Sequence, residues 1–367
     1  MRDALTITSI IIFLSIILGL VYNTMTPYLR KFGVLEKEEG QTTMPPNGGV
    51  FRSTTFAHSW ERIQKIQGDD KKDDFSRSDV FEIQFDPANA STTYAATSAG
   101  LFVNDIALVT WREVQNGILI GTESIRSIAI DPKNSSRMYV ASFAGGRGGI
   151  LKNEGQGFYE VYSTPKDQII VLGVWIDSYN PRTVYAGTES GLFLESADFG
   201  ESWRIKNEFE EAIYDLEIVP SDTRIMYGIV GNGKLLKTQN SGISWSDISA
   251  FAHPYGEAFQ IEQLAIDPHD HNRLYLATSV GLFRSENGGV SFAQMPLLTA
   301  IDAPHVSAVA VDPRKPDVLY VGIGSQIHKS EDNGRNWQIK TLETSRKISV
   351  IEIKPDDSNI IYVGVKQ

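Results

Sequence analysis

The sequence predicts an all-β protein. We expect a single seven-bladed β-propeller, closed by amino- and carboxy-terminal strands that share one blade and preceded by one N-terminal transmembrane helix. Three observations predict it: an uncharged stretch near the amino terminus, a motif that recurs about every 45 residues, and a last repeat that lacks the strands that the first repeat supplies.

Residues 5–23 are predicted to form a transmembrane signal anchor behind a short tail, residues 1–4. Leu5 to Tyr22 contains 18 residues without a charge, and a helix of that length is just able to cross a bilayer core. A cleaved signal peptide is the alternative, but no small-residue cleavage site follows the apolar run. Residues 24–47 follow as a polar juxtamembrane linker. Basic residues on both sides leave the orientation open, and we expect the propeller on the extracytoplasmic side, in the periplasm or at the cell exterior.

Composition excludes several classes of function. Asp and Glu number 45 against 34 Lys and Arg, for a net charge of −11, so binding to a nucleic-acid backbone is not expected. The chain has no Cys and only six His, without the spacing of a metal site. We therefore expect no metal and no cofactor.

An octapeptide repeats along the chain after residue 47. Four clear copies read SADFGESW, TQNSGISW, SENGGVSF and SEDNGRNW, and they end at Trp203, Trp245, Phe292 and Trp337. Three weaker copies end at Trp60, Trp111 and Glu160, so that successive copies lie 42 to 51 residues apart. Seven copies predict seven structural units.

Each unit also carries apolar runs that read as strands. The first run alternates and ends in a motif such as IDP, and the second run carries a tyrosine at the same position in each repeat. The third run begins with Gly, and the fourth run follows the octapeptide. Four short strands per repeat are typical of a propeller blade, with a solenoid as the competing architecture. The first copy has only the last two strands and the last copy only the first two, so the ends complete one blade and remove the exposed edges. The propeller is expected to cover residues 48–367.

The octapeptide is predicted to form a tight turn between the third and fourth strands. Its Gly takes a positive φ, its Asp or Asn accepts backbone hydrogen bonds, and its aromatic packs on the sheet. A calcium loop is the alternative, but the alternating Asp run and the bidentate Glu are missing. The residues expected in these turns are Ser196, Asp198, Gly200, Trp203, Asn240, Gly242, Trp245, Asn287, Gly289, Phe292, Asp332, Gly334 and Trp337.

These octapeptides resemble the Asp-box, or BNR repeat, of several propeller families. The blades are most similar to those of photosystem II assembly and stability factor-like propellers and of xyloglucanase-type glycoside hydrolases, and more distantly to sialidases and sortilin-type receptors. The resemblance covers nearly all of the chain after Gly48 and implies the fold, with almost no information about function.

No enzymatic signature of those families is visible. The arginine trio of sialidases is absent, and its nearest candidate, Arg52, lies inside a predicted strand, where a surface or packing role is expected. Xyloglucanase-type enzymes use two facing propellers, and this chain has residues for one. With 45 acidic residues, some carboxylate pair is inevitable, so counting carboxylates cannot predict a hydrolase.

Two segments are candidates for a binding face. The connection 246–262 contains Phe251, His253, Tyr255 and Phe259, and these rings are expected either to form a docking surface or to cap the blades. Arg147 lies among four glycines in a loop on the expected binding face, where it could grip an anion, although a plain surface loop is the stronger interpretation. The segment 293–306 is a second apolar candidate.

The function predicted from these observations is that of a membrane-anchored scaffold. A non-enzymatic protein-binding propeller, or assembly factor for membrane or envelope proteins, gains local concentration from its tether. The alternative is a glycan-binding or glycoside-hydrolase propeller, for which two central carboxylates flanked by Trp or Tyr would be the discriminating feature. A peptide receptor of the sortilin kind stays open as a third possibility.

Overall fold

Short antiparallel strands make up most of the structure. The computed structural model describes residues 47–63, 65–66, 77–119, 124–231, 233–299 and 304–367, which belong to one unit, Asn47–Gln367. The predicted anchor, residues 5–23, and nearly all of the linker lie outside the described residues. Within the described ranges, no helix is long and apolar enough to cross a membrane.

The strands are numbered in chain order. The first are β1 (Val50–Ser53), β2 (Glu61–Ile63) and β3 (Lys65–Ile66). The next eight are β4 (Val80–Phe85), β5 (Thr92–Thr97), β6 (Gly100–Asp105), β7 (Thr110–Glu113), β8 (Ser124–Ile130), β9 (Arg137–Ala144), β10 (Arg147–Glu154) and β11 (Tyr159–Ser163). They are followed by β12 (Val171–Ile176), β13 (Val184–Thr188), β14 (Leu192–Ser196), β15 (Arg204–Glu208), β16 (Ile213–Ile218), β17 (Met226–Val230), β18 (Lys234–Thr238) and β19 (Ser246–Asp247). The last are β20 (Ile261–Ile266), β21 (Leu274–Thr278), β22 (Gly281–Ser285), β23 (Ala293–Met295), β24 (Ala308–Val311), β25 (Leu319–Ile323), β26 (Gln326–Ser330), β27 (Gln338–Thr341), β28 (Lys347–Ile353) and β29 (Ile361–Lys366).

These strands form seven blades arranged in a ring. Blades 1 to 6 begin with the inner strands β4, β8, β12, β16, β20 and β24, and blade 7 has the order β28, β29, β1, β2. Each inner strand contacts the next around the ring, including β24 with β28 and β28 with β4. The prediction of a seven-bladed propeller closed by both chain ends is therefore confirmed.

Blade 1 departs from the predicted four strands. The two-residue strand β3 pairs in parallel with β7 and makes this sheet five-stranded. The sequence did not predict β3 because two residues carry no readable alternation. It covers the outer edge of the sheet next to the closing blade, which leaves less unpaired backbone exposed there.

The octapeptide turns lie between the third and fourth strands of their blades. In the copy of blade 3, Ser196 Oγ accepts the main-chain N–H of Gly200 at 2.8 Å, and Asp198 Oδ1 accepts that of Ser202 at 2.9 Å. Gly200 has φ 82°, and the equivalent residue of blade 7 is Ala57, with φ 66°. A left-handed conformation is costly for Ala. The blade 7 copy matches the motif only weakly in the sequence, in part because Ala57 stands where the clear copies have Gly.

Adjacent blades are joined by the repeat tyrosines. Tyr139 donates its hydroxyl hydrogen bond to the Phe199 carbonyl at 2.6 Å, and Tyr227 does the same to Gly288 at 3.0 Å. In both cases the acceptor lies in the octapeptide turn of the following blade. The tyrosine at the same position of each second strand therefore contributes to packing between blades. Seven apolar clusters fill the spaces between the sheets.

A basic residue just before the octapeptide forms a second link. Lys237 donates to the Gly288 carbonyl of the next blade at 2.7 Å, Lys329 donates to the Phe56 carbonyl at 3.1 Å, and Lys152 pairs with Glu201 at 2.5 Å. Because the propeller buries these cations between blades, they need such acceptors. The sequence analysis did not predict that the basic residue before the octapeptide links adjacent blades.

Candidate binding channel

A channel runs through the centre of the ring between the inner strands. Its cavity volume is about 680 Å³, and residues from six of the seven inner strands line it. One end, here called the entry face, is where the inner strands begin. The other end carries the turns that follow the inner strands, including Pro87 and Pro132.

A β-bulge recurs near the start of the inner strands. The pairing register shifts at equivalent places in six blades, for example between Val80 and Glu82 and between Ile213 and Asp215. A bulge re-aims the side chains next to it. At four positions the residue after the bulge reaches the neighbouring inner strand.

These contacts are hydrogen bonds to main-chain N–H groups of the next blade. Glu82 Oε2 accepts from Ile128 at 3.0 Å and Gln263 Oε1 accepts from Val309 at 2.9 Å. Ser127 Oγ accepts from Val174 at 3.2 Å, and Asp215 accepts from Leu264. Glu82 and Asp215 therefore hold blades together.

Two residues further along each inner strand lies a ring of seven equivalent positions, here called the tyrosine-level ring. Each member pairs with the repeat tyrosine of the second strand. From blade 1 to blade 7 its members are Gln84, Ala129, Trp175, Glu217, Ala265, Ala310 and Glu352.

The carboxyl groups of this ring face each other across the channel. Glu217 belongs to blade 4 and Glu352 to blade 7, which are three steps apart on a ring of seven. Enclosure by the blades raises the pKa of Glu217 well above its usual range, and the charges of Asp215, Glu82 and Glu352 raise it further. The same desolvation, with the charge of Glu82, raises the pKa of Glu352 to about 8.

The two acidic side chains at the bulge are shifted in the same direction. Burial raises the pKa of Glu82 to about 7, although the N–H of Ile128 opposes the shift. Burial likewise raises the pKa of Asp215 to about 6. The carboxyl groups of Glu82, Asp215 and Glu352 therefore exchange protons near neutral pH, unlike ordinary surface carboxylates.

The entry face carries charges of both signs. Lys366, whose pKa is lowered by burial, lines the channel with Arg126 and Glu262. Glu262 in turn accepts from His305 at 2.9 Å. The exposed ring of Tyr214, at 51% relative exposure, lies at the same end.

Both ends of the described chain lie at the entry face. The side-chain amide of Asn47 donates to Ser345 Oγ at 2.9 Å, and Thr344 Oγ1 donates to the Asn47 carbonyl at 2.7 Å. Both partners lie just before the inner strand β28. The main-chain N–H of Gln367 donates to Asp79 Oδ1 at 2.9 Å, just before β4.

The candidate residues of segment 246–262 are gathered in one place. A 3-10 helical segment, Ser249–Ala258, holds most of this connection. The ring of Phe251 lies 4.4 Å from Phe292 and 5.8 Å from Phe283, centroid to centroid, and Phe259 is buried against Phe283. The rings thus cap blade 5, which was one of the two roles expected, and His253 is left exposed.

Arg147 and Arg52 occupy different environments. Arg147 is exposed and its Nε donates to Asp167 at 2.7 Å, away from the channel-lining residues. Arg52 is 5% exposed and donates to the carbonyls of Ile106 at 2.7 Å and Leu108 at 3.0 Å in blade 1. Arg52 therefore packs the seam where the ring closes.

Sequence reasoning did not single out the channel carboxyls. In the sequence they are four among 45 acidic residues. The signal that could have found Glu217 and Glu352 is the repeat tyrosine, because the inner-strand residue that pairs with it belongs to the tyrosine-level ring. Within the described residues, no group of three or more His, Cys, Asp or Glu could hold a metal ion.

Comparison with known proteins places the fold among two kinds of propeller. No protein-family model matches the chain. A probable oligoxyloglucan-reducing end-specific xyloglucanase of Neosartorya fischeri is 26% identical over 164 residues, 40% of this chain and 20% of that protein. The chain thus spans a fifth of the length of that curated relative.

Solved structures agree on the architecture. The GH74 xyloglucanase of Xanthomonas campestris matches with a TM-score of 0.64 and 18% identity, over 78% of this chain and 51% of the enzyme. YCF48 bound to D1 peptide matches with a TM-score of 0.60 and 14% identity, over 79% of this chain and 94% of YCF48. These likenesses confirm the expected resemblance at the level of the fold.

Proposed function

We propose that this chain is a membrane-anchored, extracytoplasmic propeller that acts as a non-enzymatic protein-binding scaffold or assembly factor for membrane or envelope proteins. The observation that carries the proposal is the position of Asn47 beside the channel entrance. A tether that enters there leaves the entry face next to whatever the tether is attached to.

The sequence upstream supplies that tether. Residues 5–23 are the proposed anchor, and residues 24–46 are the proposed connection between it and Asn47. Partners in the same membrane therefore meet the entry face at a high effective concentration. The aromatic and charged groups around the entrance, such as Tyr214 and Lys366, suit contacts with a protein segment.

The extent of the structural match supports the same proposal. The propeller corresponds to nearly the whole of YCF48, whose structure holds a D1 peptide, and to only about half of the GH74 enzyme. A protein of which this propeller covers 94% is thus described as bound to a peptide, which supports the proposal. We propose the same class of ligand, a segment of a protein, for this chain.

Photo-crosslinking in the native host tests the proposal. A photoreactive phenylalanine analogue replaces Tyr214 at the entry face or, as the matched control, Tyr179, which is 78% exposed at the opposite end. We expect adducts with one membrane or envelope protein from position 214 and none from position 179. Deletion of residues 1–46 should abolish the adduct.

Adducts of equal yield at both positions, or adducts that survive deletion of the anchor, would contradict the proposal. The first result would show that the entry face is not selective. The second would show that tethering plays no part.

A glycan-active propeller is the second candidate, favoured by a specific observation. Glu217 and Glu352 oppose each other in a channel that also contains Trp175, and a raised pKa is typical of the general acid of a glycosidase. The test is incubation of the full chain with xyloglucan oligosaccharides and a wider glycan panel. Release of new reducing ends that is lost in Glu352→Gln would establish an enzyme and overturn the scaffold proposal.

A further inference from the structure

We propose that the tyrosine-level ring binds a positively charged side chain, a lysine or an arginine, presented by the protein segment that docks at the entry face. This inference rests on the proposed function and specifies the chemistry of the ligand. It concerns the wall formed by Gln84, Trp175, Glu217 and Glu352, all of which line the channel.

The first observation is a set of acceptors without donors. Among the groups that the structure describes, Glu217 and Glu352 have no hydrogen bond or ion pair, and only burial and other acidic residues act on them. By contrast, Glu82 and Asp215 each accept a main-chain N–H. The two ring carboxyls are therefore free to receive a ligand.

The second observation is independent of the carboxyl groups. The amide oxygen of Gln84 is buried and has no hydrogen-bond partner among the described groups. A buried acceptor left unpaired costs free energy. Gln84 lies on β4 of blade 1, which contacts β28, the strand that carries Glu352, and both side chains line the channel.

The third observation is an aromatic wall beside Glu217. Trp175 lies on blade 3, adjacent to blade 4, and its ring lies against the backbone of Gly173. A Cβ atom at residue 173 would come within 2.2 Å of that ring. The indole can therefore occupy this position only because residue 173 is a glycine. An indole face next to carboxylates is a recurring environment for ammonium and guanidinium groups.

These groups together select the charge of the ligand. Arginine and lysine carry five and three N–H donors and no acceptor, which matches a wall of acceptors. An anion would be repelled by these carboxyls in their ionised form. A neutral polar group would leave the carboxyls in the proton-bound form that the empty channel favours.

Binding of a cation must therefore displace protons. Glu82 on β4 and Asp215 on β16 act on the two ring carboxyls. The other ionisable groups that line the channel are Arg126 on β8, Tyr214 on β16, Glu262 on β20 and Lys366 on β29. A cation between the ring carboxyls favours their charged forms, so protons leave as it binds and the affinity rises with pH.

Calorimetric titration of the full-length protein in mild detergent tests the inference. The probes are the acetylated, amidated peptides GGRGG and its citrulline analogue, which keeps the shape of arginine and removes its charge. We expect the arginine peptide to bind at least about tenfold more tightly, with release of about one proton measured in two buffers of different ionisation enthalpy. Its affinity should fall from pH 8 to pH 5.

Variants assign the effect to the ring. The double change Glu217→Gln and Glu352→Gln should remove the preference for arginine and the proton release, and Trp175→Leu should weaken the arginine peptide by about threefold or more. Glu343→Gln, which alters an exposed carboxylate on the same face, is the matched control and should behave as the wild type. The amide variants keep the shape of the channel wall, so they test charge and not folding.

Equal binding of the two peptides, no binding of either at about 1 mM, or an unchanged preference in the double variant would overturn the inference. Photo-crosslinking at Tyr214 distinguishes this failure from failure of the proposed function. An anchored adduct that persists in the double variant would refute the cation site and leave the scaffold proposal standing. Loss of every adduct from position 214 in the wild type would refute the scaffold.

Discussion

The guanidinium of Arg52 donates a hydrogen bond of 2.7 Å to the main-chain carbonyl of Ile106. Arg52 lies on β1 of the closing blade, and Ile106 follows β6 of blade 1. The contact therefore spans the seam between blade 7 and blade 1, where the two ends of the chain complete the ring. Arg52 stands just before the octapeptide of its repeat, as Lys237 and Lys329 do in theirs, and all three donate to a main-chain carbonyl of the next blade.

Arg52→Ala is expected to lower the free energy of unfolding by about 2–3 kcal/mol. The substitution removes the buried donor of the Ile106 carbonyl and the ion-pair partner of Glu61, whereas the Leu108 carbonyl keeps the side-chain amide of Asn104 as a donor. Urea denaturation followed by tryptophan fluorescence measures the change. Arg224→Ala, which breaks an exposed pair with Asp222, is the control and should change stability little; equal losses in the two variants would refute a special role for the seam.

Tyr139→Phe and Tyr320→Phe are expected to have different effects at equivalent positions. Tyr139 donates to the carbonyl of Phe199, so Tyr139→Phe should lower the free energy of unfolding by about 1 kcal/mol. The hydroxyl of Tyr320 is buried without a hydrogen-bond partner among the described residues, so its removal should be neutral or stabilising. Thermal unfolding of both variants measures the difference, and destabilisation by Tyr320→Phe equal to that of Tyr139→Phe would contradict the prediction.

Stability is expected to fall as pH rises from about 4 to about 8. The pKa values of Asp215, Glu82 and Glu352 in the folded protein are about 6, 7 and 8, above those of the unfolded chain. Each group therefore holds a proton preferentially in the folded state, and that contribution is lost as pH passes through the folded pKa. Urea denaturation across this range measures the slope.

Glu352→Gln should flatten the alkaline part of this slope, because the amide cannot ionise. Glu343→Gln alters a carboxylate outside the channel and should leave the slope as in the wild type. A slope that is the same in all three proteins would show that the channel carboxyls do not govern it.

His328 is expected to act in the opposite direction: it destabilises the fold as pH decreases below about 6.5 and so offsets part of the stability that the channel carboxyls contribute over that range. This side chain is fully buried, its two ring nitrogens lack partners in the described part of the chain, and burial lowers its pKa. The unfolded chain therefore binds a proton that the folded chain resists, and stability is lost as pH falls through the unfolded pKa towards the folded one.

His328→Phe should remove this destabilising contribution, so that stability increases more from pH 7.5 to pH 5 than it does in the wild type. The equivalent residue of blade 5 is Phe283, so an aromatic ring suits the position. Stability measured at pH 7.5 and pH 5 tests the change, and His253→Gln, at an exposed site, is the control. An identical pH dependence in His328→Phe and the wild type would show that His328 does not contribute to it.

The site was less accessible to sequence reasoning than the fold. Glu217 and Glu352 lie in ordinary alternating strands, and nothing in their neighbouring residues distinguishes them from surface carboxylates. Phe251 and Phe259 were readable as either docking or packing residues, because an aromatic in a loop has the same sequence signature in both roles. Their contacts with Phe283 and Phe292 depend on residues about 30 positions away.

The sequence by itself determined the number of blades, the position of the octapeptide turns and the closure of the ring. These features depend on contacts within one repeat or between chain ends that lack complementary strands, so period and phase are enough to predict them. Only the tertiary structure decided that Glu217 faces Glu352, that Arg52 packs the seam and that Asn47 enters beside the channel. The physical reason is that the bulge in each inner strand and the sevenfold ring together bring side chains from distant repeats into one desolvated space, and no local pattern encodes that proximity.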